Sequence, residues 1–224
     1  MSTLVRWYGQ SAFLVEGEQS VFVDPFGDLG SVDFRYPPIE GVRADLLLVT
    51  HEHRDHNAVE AIGGDPVVIR STAGTHESPL GEVVAVASEH DDVAGTARGP
   101  NAIMCFTLGG LRFCHLGDLG QAALRPEQVA AIGAVDVLFL PAGAGPTIGG
   151  EASAAVVRAL SPRLVVPMHF RTEAIGFLDP PDAFLEALGA RVERTATSEA
   201  EVDPLVGSRD DPVVVLLQPP LRKA

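Results

Sequence analysis

The sequence predicts one α/β domain that spans residues 1–224. Short apolar runs with the length of buried strands alternate with helix-like segments, and the alternation recurs in two similar halves of the chain. No linker separates the halves, so both are expected to share one core. Polar residues that can bind cations follow the predicted strands in both halves. With 224 residues, 46% of them hydrophobic, the chain is long enough to bury a large core.

The N-terminal half opens with three predicted strands and a candidate support for a metal site. Turn residues and apolar runs predict strands over residues 4–8, 12–15, 20–23 and 46–49. Asp24 stands where the third strand ends, before Pro25. A carboxylate there can accept the second N–H of a metal-bound histidine, although Asp before Pro also initiates turns. Residues 26–44 are predicted to be a long loop that forms one wall of the site.

The segment from His51 to His56 carries the strongest chemical signal. It follows the apolar run of residues 46–49, and His51 and His53 can point the same way from an extended chain. If the chain then turns, Asp55 and His56 can face a second ion. Imidazole and carboxylate ligands suit zinc, and also iron or manganese. Two-metal hydrolytic sites hold their ions about 3.5–4 Å apart, which adjacent ligand pairs on one loop can provide.

The second half supplies further candidates at strand ends. His90 follows a predicted strand and is expected to be a third ligand of the first ion, with His115 as its competitor. Gly109-Gly110 predicts a tight hairpin, whose second arm leads into His115 and then Asp118. A carboxylate at Asp118 is placed to bridge two metals. His169 ends another predicted strand and is a further ligand candidate.

Other elements are predicted from the lengths of the apolar runs and from the turn residues between them. His76 is expected in a polar turn, and residues 196–212 in a polar surface loop. The remaining predicted strands cover residues 66–70, 82–87, 102–108, 111–116, 135–140, 163–168 and 213–217, and the predicted helices cover residues 58–62, 126–132, 151–160 and 181–188.

The motif His51-x-His53-x-Asp55-His56 after an apolar strand resembles the signature of the metallo-β-lactamase superfamily. The resemblance implies a four-layer αβ/βα sandwich, with two facing sheets and helices outside. It also implies two divalent metal ions and a bridging hydroxide as nucleophile, with Asp55 and Asp118 as catalytic residues. The first ion would take the histidines at 51, 53 and 90. The second would take the side chains at 55, 56 and 169, and the Asp at 118 would bridge the ions. Relatives often have Gly-His-Ser where this chain has Gly9-Gln10-Ser11, which leaves the role of Gln10 open.

Three segments, at residues 98–101, 115–120 and 165–169, are similar to the ascorbate-6-phosphate-lactonase-like branch of that superfamily. That similarity implies a hydrolase of an ester or lactone of a small molecule, with or without a phosphate group. A phosphodiesterase acting on a small nucleotide or phospholipid is the alternative, and a non-catalytic metal-binding protein is a third. Arg98, Asn101 and Arg171 are candidate contacts to the substrate or supports of the site, with surface ion pairs as the alternative for both arginines. His115 is expected to support the site from behind.

The composition of the chain limits the classes of partner that it is expected to bind. The net charge of −14 disfavours nucleic acid and anionic membranes and leaves a small molecule as the expected partner. Zinc is the expected metal, with manganese or iron as alternatives, and a homo-oligomer is compatible with the sequence. Lys223 is the only lysine, so a P-loop or Schiff-base mechanism is excluded. Without a signal peptide or a long apolar run, the expected location is the cytoplasm.

Overall fold

The computed structural model describes residues 2–30 and 34–220. Lys223 lies outside the described residues. The strands in chain order are β1 (Leu4–Gly9), β2 (Ala12–Glu16), β3 (Ser20–Val23), β4 (Leu46–Val49), β5 (Val67–Arg70), β6 (Gly74–Ser78), β7 (Gly81–Glu89), β8 (Pro100–Leu108), β9 (Leu111–His115), β10 (Val137–Pro141), β11 (Leu164–Met168), β12 (Arg191–Arg194), β13 (Glu199–Glu201) and β14 (Val213–Leu216). The helices are α1 (Pro126–Ile132), α2 (Gly150–Leu160) and α3 (Asp182–Leu188), with 3₁₀ turns at Val59–Ala61 and Asp203–Leu205.

The N-terminal half forms a six-stranded mixed sheet in the order β13-β1-β2-β3-β4-β5. The pairs from β13 to β3 are antiparallel, because short turns connect β1, β2 and β3. From β3 to β5 the strands are parallel. The carboxyl ends of β3 and β4 therefore meet at one edge of the sheet.

The second sheet has eight strands in the order β12-β14-β11-β10-β9-β8-β7-β6. The predicted hairpin forms between β8 and β9, where Gly109 and Gly110 both have positive φ, as a two-residue turn of type I′ requires. From β9 to β12 every pair is parallel. The α1 segment connects β9 to β10, and α2 connects β10 to β11, as parallel neighbours require crossover connections.

The two sheets share one core, which confirms the predicted α/β sandwich. The rings of Phe13 on β2 and Phe139 on β10 lie with their centroids 4.5 Å apart between the sheets. Buried side chains of all three helices join this core, among them Val157 of α2 and Phe184 of α3. Burial of such side chains is the main favourable term for the fold.

The outer face of the six-stranded sheet is covered differently. In the described residues a second apolar cluster there packs Leu14, Phe22 and Leu47 against loop residues such as Phe26 and Tyr36. The described part of the long loop after Asp24 is therefore an outer layer of the fold. It encloses a separate pocket of about 390 Å³.

The sequence missed three strands at sheet edges. His76 lies on β6 and is half-buried, so the expected turn is wrong. The expected surface loop over residues 196–212 contains β13, which pairs with β1. The third is β12, which pairs with β14. Edge strands are short and polar on both faces, so their sequences lack the apolar alternation that marks a strand.

Candidate metal centre

Every candidate ligand lies just beyond the end of a strand. In the six-stranded sheet Asp24 follows β3, and the segment from His51 to His56 follows β4. In the eight-stranded sheet the same holds for His90 after β7, Asp118 after β9 and His169 after β11. Ligand sites of α/β folds collect at the carboxyl ends of parallel strands. The structure thus brings together side chains from both sheets at one edge.

A hydrogen-bond network fixes the ends of β3 and β4. The buried carboxylate of Asp24 accepts bonds from Thr50 N at 2.8 Å and from Thr50 Oγ1 at 2.7 Å. His56 Nδ1 lies 3.0 Å from Oδ2 of the same carboxylate. Because the Thr50 hydroxyl proton is already donated, Thr50 Oγ1 accepts from His51 Nδ1, 3.0 Å away. Both histidines are therefore held through Nδ1, which leaves Nε2 as the nitrogen that can bind a cation.

The first cluster consists of His51, His53 and His90. Each ring offers one nitrogen, and these nitrogens lie within 4.8 Å of one another. His51 Nε2 is 3.1 Å from His53 Nδ1. His90 is buried, and its Nδ1 has no hydrogen-bond partner. A buried nitrogen without a partner is unfavourable unless a ligand satisfies it.

The second cluster surrounds Asp118. Its Oδ2 lies 3.2 Å from Nε2 of His90, 3.2 Å from Nε2 of His169 and 3.3 Å from Nε2 of His56. Its Oδ1 accepts a bond from Ser11 Oγ at 3.1 Å. Asp118 therefore stands between the two histidine groups, where the sequence predicts a bridging ligand.

Two side chains hold the Asp118 segment in place. Asn101 Oδ1 accepts the N–H of Asp118 at 3.1 Å, and its Nδ2 donates to Leu116 O at 2.9 Å. His115 Nδ1 accepts the N–H of Gly117, so its Nε2 donates to Ser11 O at 2.9 Å. Both nitrogens of His115 are occupied by protein groups, which places it behind the cluster as a support.

The electrostatics of the site suit cation binding. Burial, reinforced by the neighbouring His56, lowers the pKa of His51 to about 3. Burial alone would raise the pKa of Asp118, but the charges of His169 and His56 hold it well below its usual range. Burial likewise lowers the pKa of His56, yet Asp118 and Asp55 outweigh it and raise the pKa well above the ordinary value. Carboxylates facing imidazole nitrogens are a donor set that fits divalent zinc, manganese or iron.

Three residues of the site have left-handed backbone conformations. Gln10, Asp24 and His169 have φ angles of 50°, 51° and 50°. Each directly follows a strand, and a left-handed residue turns the chain sharply there. Non-glycine residues in this region are strained, and such strain gathers at functional sites.

An open cleft of about 520 Å³ leads to the clusters. Its walls include Arg98, Gln10 and Phe177, with Asp55 and the ligand candidates at its base. Phe177 is 64% exposed although it is aromatic. The loop of residues 26–44, which was expected to form one wall, does not line the cleft in the described residues, because its aromatic side chains pack on the sheet instead.

The two arginines proposed as substrate contacts differ. Arg98 is exposed, lines the cleft, and has no side-chain partner in the described residues. Its backbone is fixed because the Asp91 carboxylate accepts the N–H groups of Ala97 and Arg98. Arg171 instead donates from Nε to Leu178 O at 2.5 Å and pairs with Asp179 at 3.7 Å. These contacts favour the alternative of a surface ion pair for Arg171, and its role as a substrate contact stays a prediction.

Several functional residues escaped the sequence analysis. Ser11 holds Asp118, Thr50 orients two site residues, and Thr147 Oγ1 lies 3.3 Å from His169 Nδ1. Phe177 at the cleft was also missed. Two of them had a signal in the sequence, since Thr50 stands directly before His51 and Ser11 belongs to the Gly9-Gln10-Ser11 segment.

Known proteins are similar to this chain in sequence and fold. The family described as "Beta-lactamase superfamily domain" matches residues 4–169. A UPF0173 metal-dependent hydrolase of Thermococcus kodakarensis is 32% identical over 84% of this chain and 93% of its own. A Thermotoga maritima structure, a candidate Zn-dependent hydrolase of the metallo-β-lactamase superfamily, has a TM-score of 0.76 and 29% identity, covering 96% of this chain and 100% of its own. A candidate metal-dependent hydrolase of Parabacteroides distasonis shares the fold, with a TM-score of 0.65 and 20% identity over 83% of this chain and 88% of its own.

The fold is that of the metallo-β-lactamase superfamily. Within it, the chain belongs to the family of UPF0173 metal-dependent hydrolases. No helix in the described residues has the length and apolar character needed to cross a membrane.

Proposed function

We propose that the protein is a dinuclear metal-dependent hydrolase that cleaves an ester or lactone of a small anionic molecule. The observation that carries the proposal is the position of Asp118 Oδ2, within 3.3 Å of Nε2 atoms from His56, His90 and His169. A single carboxylate oxygen surrounded by imidazoles from two groups is the arrangement that a bridging ligand requires.

The chain would hold the two ions with separate ligand groups. His51, His53 and His90 would bind the first ion, and Asp55, His56 and His169 would bind the second, with Asp118 shared. When bound, divalent ions supply a hydroxide nucleophile near neutral pH and polarise the carbonyl of the substrate. Zinc is the proposed metal, with manganese or iron as alternatives.

The protein's own groups would orient this chemistry. Ser11 fixes Asp118 through Oδ1 and leaves Oδ2 for the ions. Asp55 lines the cleft, and its pKa is strongly lowered, because the charge of His56 outweighs the opposing effect of burial. It therefore remains a carboxylate that can accept a hydrogen bond from an attacking water.

Arg98 supports the anionic class of substrate. Most arginines of so acidic a chain are expected in ion pairs, yet this guanidinium faces the cleft without one in the described residues. An unpaired guanidinium can hold a carboxylate or phosphate with two parallel hydrogen bonds. The modest size of the cleft supports a small-molecule substrate.

Activity assays on metal-loaded protein test this function. We expect Zn²⁺- or Mn²⁺-loaded protein to hydrolyse members of a panel of lactones and carboxylic esters, with a preference for those that carry phosphate or carboxylate. His90→Ala should abolish turnover, and His76→Ala, on a distant edge strand, should leave it unchanged. Turnover of bis-p-nitrophenyl phosphate in place of every lactone and ester would overturn the substrate class in favour of a phosphodiesterase.

A further inference from the structure

Three glutamines of the described chain are buried, and one of them lacks the hydrogen bonds that satisfy the others. Gln121 Nε2 donates to Ala123 O at 2.8 Å and to Gln128 Oε1 at 2.7 Å. Gln128 Nε2 donates to Ala87 O at 2.8 Å, and its Oε1 accepts from Arg125 N at 2.8 Å. These two carboxamides are structural groups with protein partners on both atoms.

Gln10 is as deeply buried, but the oxygen of its carboxamide is unsatisfied. Its side chain is 1% exposed, and Oε1 has no hydrogen-bond partner in the described residues. The same side chain lines the cleft beside His53, Asp118 and His169. A buried amide without a partner is unfavourable, and most buried polar groups are paired. At the wall of a substrate cleft, the missing partner is expected to come from the ligand.

The backbone holds Gln10 in this position. Its φ angle of 50° is strained for a residue with a side chain. Its carbonyl accepts the indole N–H of Trp7 at 3.0 Å and the N–H of His169 at 3.3 Å. The neighbouring Gly9 packs closely against the ring of Tyr36. The carboxamide is therefore fixed at the cleft by contacts that do not involve the carboxamide itself.

The charges of the cleft define the partner. An acceptor oxygen needs a donor, and a cationic donor would be repelled by two divalent ions and by Arg98. A neutral hydroxyl group has no such penalty. We propose that Gln10 determines substrate specificity, with Oε1 accepting a hydrogen bond from a hydroxyl that the substrate carries beside its ester or lactone bond. This inference rests on the hydrolase function proposed above.

A stability measurement separates this role from a structural one. Methionine has the shape of glutamine without its polar atoms, so Gln10→Met removes an unpaired buried amide and should leave the unfolding midpoint of the metal-free protein unchanged or raised. Gln128→Met is the matched control and should lower the midpoint, because it leaves Ala87 O and Arg125 N without partners. An equal loss of stability in both variants would show that Gln10 is structural and would overturn the proposal.

Substrate discrimination gives the second test. The wild type should hydrolyse α-hydroxy-γ-butyrolactone with a kcat/KM roughly 10-fold above that for γ-butyrolactone, because one neutral hydrogen bond separates them. Gln10→Met should lose this preference through a lower rate on the hydroxylactone alone, with metal content unchanged. Equal losses on both lactones would place Gln10 on the ions or their water, and the specificity role would fall.

A binding experiment keeps the inference separate from the hydrolase proposal. If the wild type cleaves neither lactone, calorimetry with metal-loaded protein can compare 2,4-dihydroxybutyrate with 4-hydroxybutyrate. Tighter binding of the dihydroxy acid that disappears in Gln10→Met supports the specificity role. Equal affinity of the wild type for the two acids overturns it, whatever the fate of the proposed reaction.

Discussion

His56 Nδ1 lies 3.0 Å from Oδ2 of Asp24, and both side chains are fully buried. The carboxylate accepts the Nδ1 proton of His56 and so turns Nε2 toward Asp118. Supports of this kind fix the orientation of a metal ligand and raise its basicity.

Replacement of Asp24 by Asn tests this support. Asp24→Asn keeps the shape of the side chain but removes the charge that stabilises the His56 N–H. We expect metal affinity to fall about 10- to 100-fold, as for other supporting residues of metal sites. Competition with a chelator would measure the change. Asp45→Asn is the control, since Asp45 bonds Ser20 on the surface, and a similar fall there would contradict the assignment.

Proton release on metal binding tests the charge state of His56. Because Asp118 and Asp55 raise the pKa of His56 well above its ordinary value, the metal-free ring carries a proton at neutral pH. A metal must displace it, so we expect release of about one proton per chain from this group at pH 7. His51, with its pKa lowered to about 3, should release none. Calorimetry in two buffers of different ionisation enthalpy measures the number.

The same shift has a consequence for the stability of the metal-free protein. A histidine whose pKa in the folded protein is above the unfolded value of about 6.5 binds its proton more tightly in the folded state. Its contribution to stability is complete below about pH 6.5 and is lost as the pH rises through the folded pKa. His56→Gln should remove this loss of stability at alkaline pH. If metal uptake at pH 7 releases no proton from wild type, the raised pKa is wrong.

The different surroundings of His90 and His115 predict opposite phenotypes. His90→Ala should lose metal, because it removes a ligand of the first ion that also contacts Asp118 through Nε2. His115→Ala should keep most of the metal but lower the free energy of unfolding by roughly 2–4 kcal/mol, since it leaves a cavity and two unpaired backbone groups. Elemental analysis and denaturant unfolding measure the two properties. The reverse pattern would reassign the third histidine ligand.

Arg98 should act on substrate binding and Arg171 on the fold. Arg98→Gln is expected to raise KM for an anionic substrate about 10- to 150-fold with kcat little changed, as loss of a charge-assisted hydrogen bond worth roughly 1.5–3 kcal/mol requires. A neutral analogue should show no change. Arg171→Gln should alter thermal stability and leave the ratio of KM values between the two substrates unchanged. Equal effects of Arg98→Gln on both substrates would remove the support for an anionic substrate.

Gly117 has no room for a side chain. Its φ is +56°, and an added Cβ would lie 2.7 Å from Thr50 Cβ and closer still to Asn101 Oδ1. We expect Gly117→Ala to cost roughly 2–4 kcal/mol in unfolding free energy and to reduce metal content by displacing Asp118. Gly110→Ala measures the cost of the positive φ alone, because the φ of Gly110 is +79° and no atom lies within 4 Å of the added Cβ. Equal costs at both positions would show that crowding contributes nothing.

The sequence allowed prediction of the fold class and of the ligand segments, because strand-terminal His and Asp residues are a local pattern. The contacts that support the ligands were harder to predict from the sequence. Ser11 reaches Asp118 across 107 positions of sequence, and the partner of Arg171 is a backbone carbonyl that only the folded loop presents. Such contacts depend on how the two sheets pack, which residue type and spacing do not encode. The unsatisfied carboxamide of Gln10 could likewise be recognised only once its surroundings were known.

The division of the proposed ligands between two sheets also determines when, during translation, a complete metal site can form. The donors from His51 to His56 leave the ribosome long before His169, which follows β11. A nascent chain therefore displays an unfinished set of donors while most of the eight-stranded sheet is still unmade. Complete metal loading must wait until translation is nearly over, and a chain arrested before β11 can hold at most a partial site.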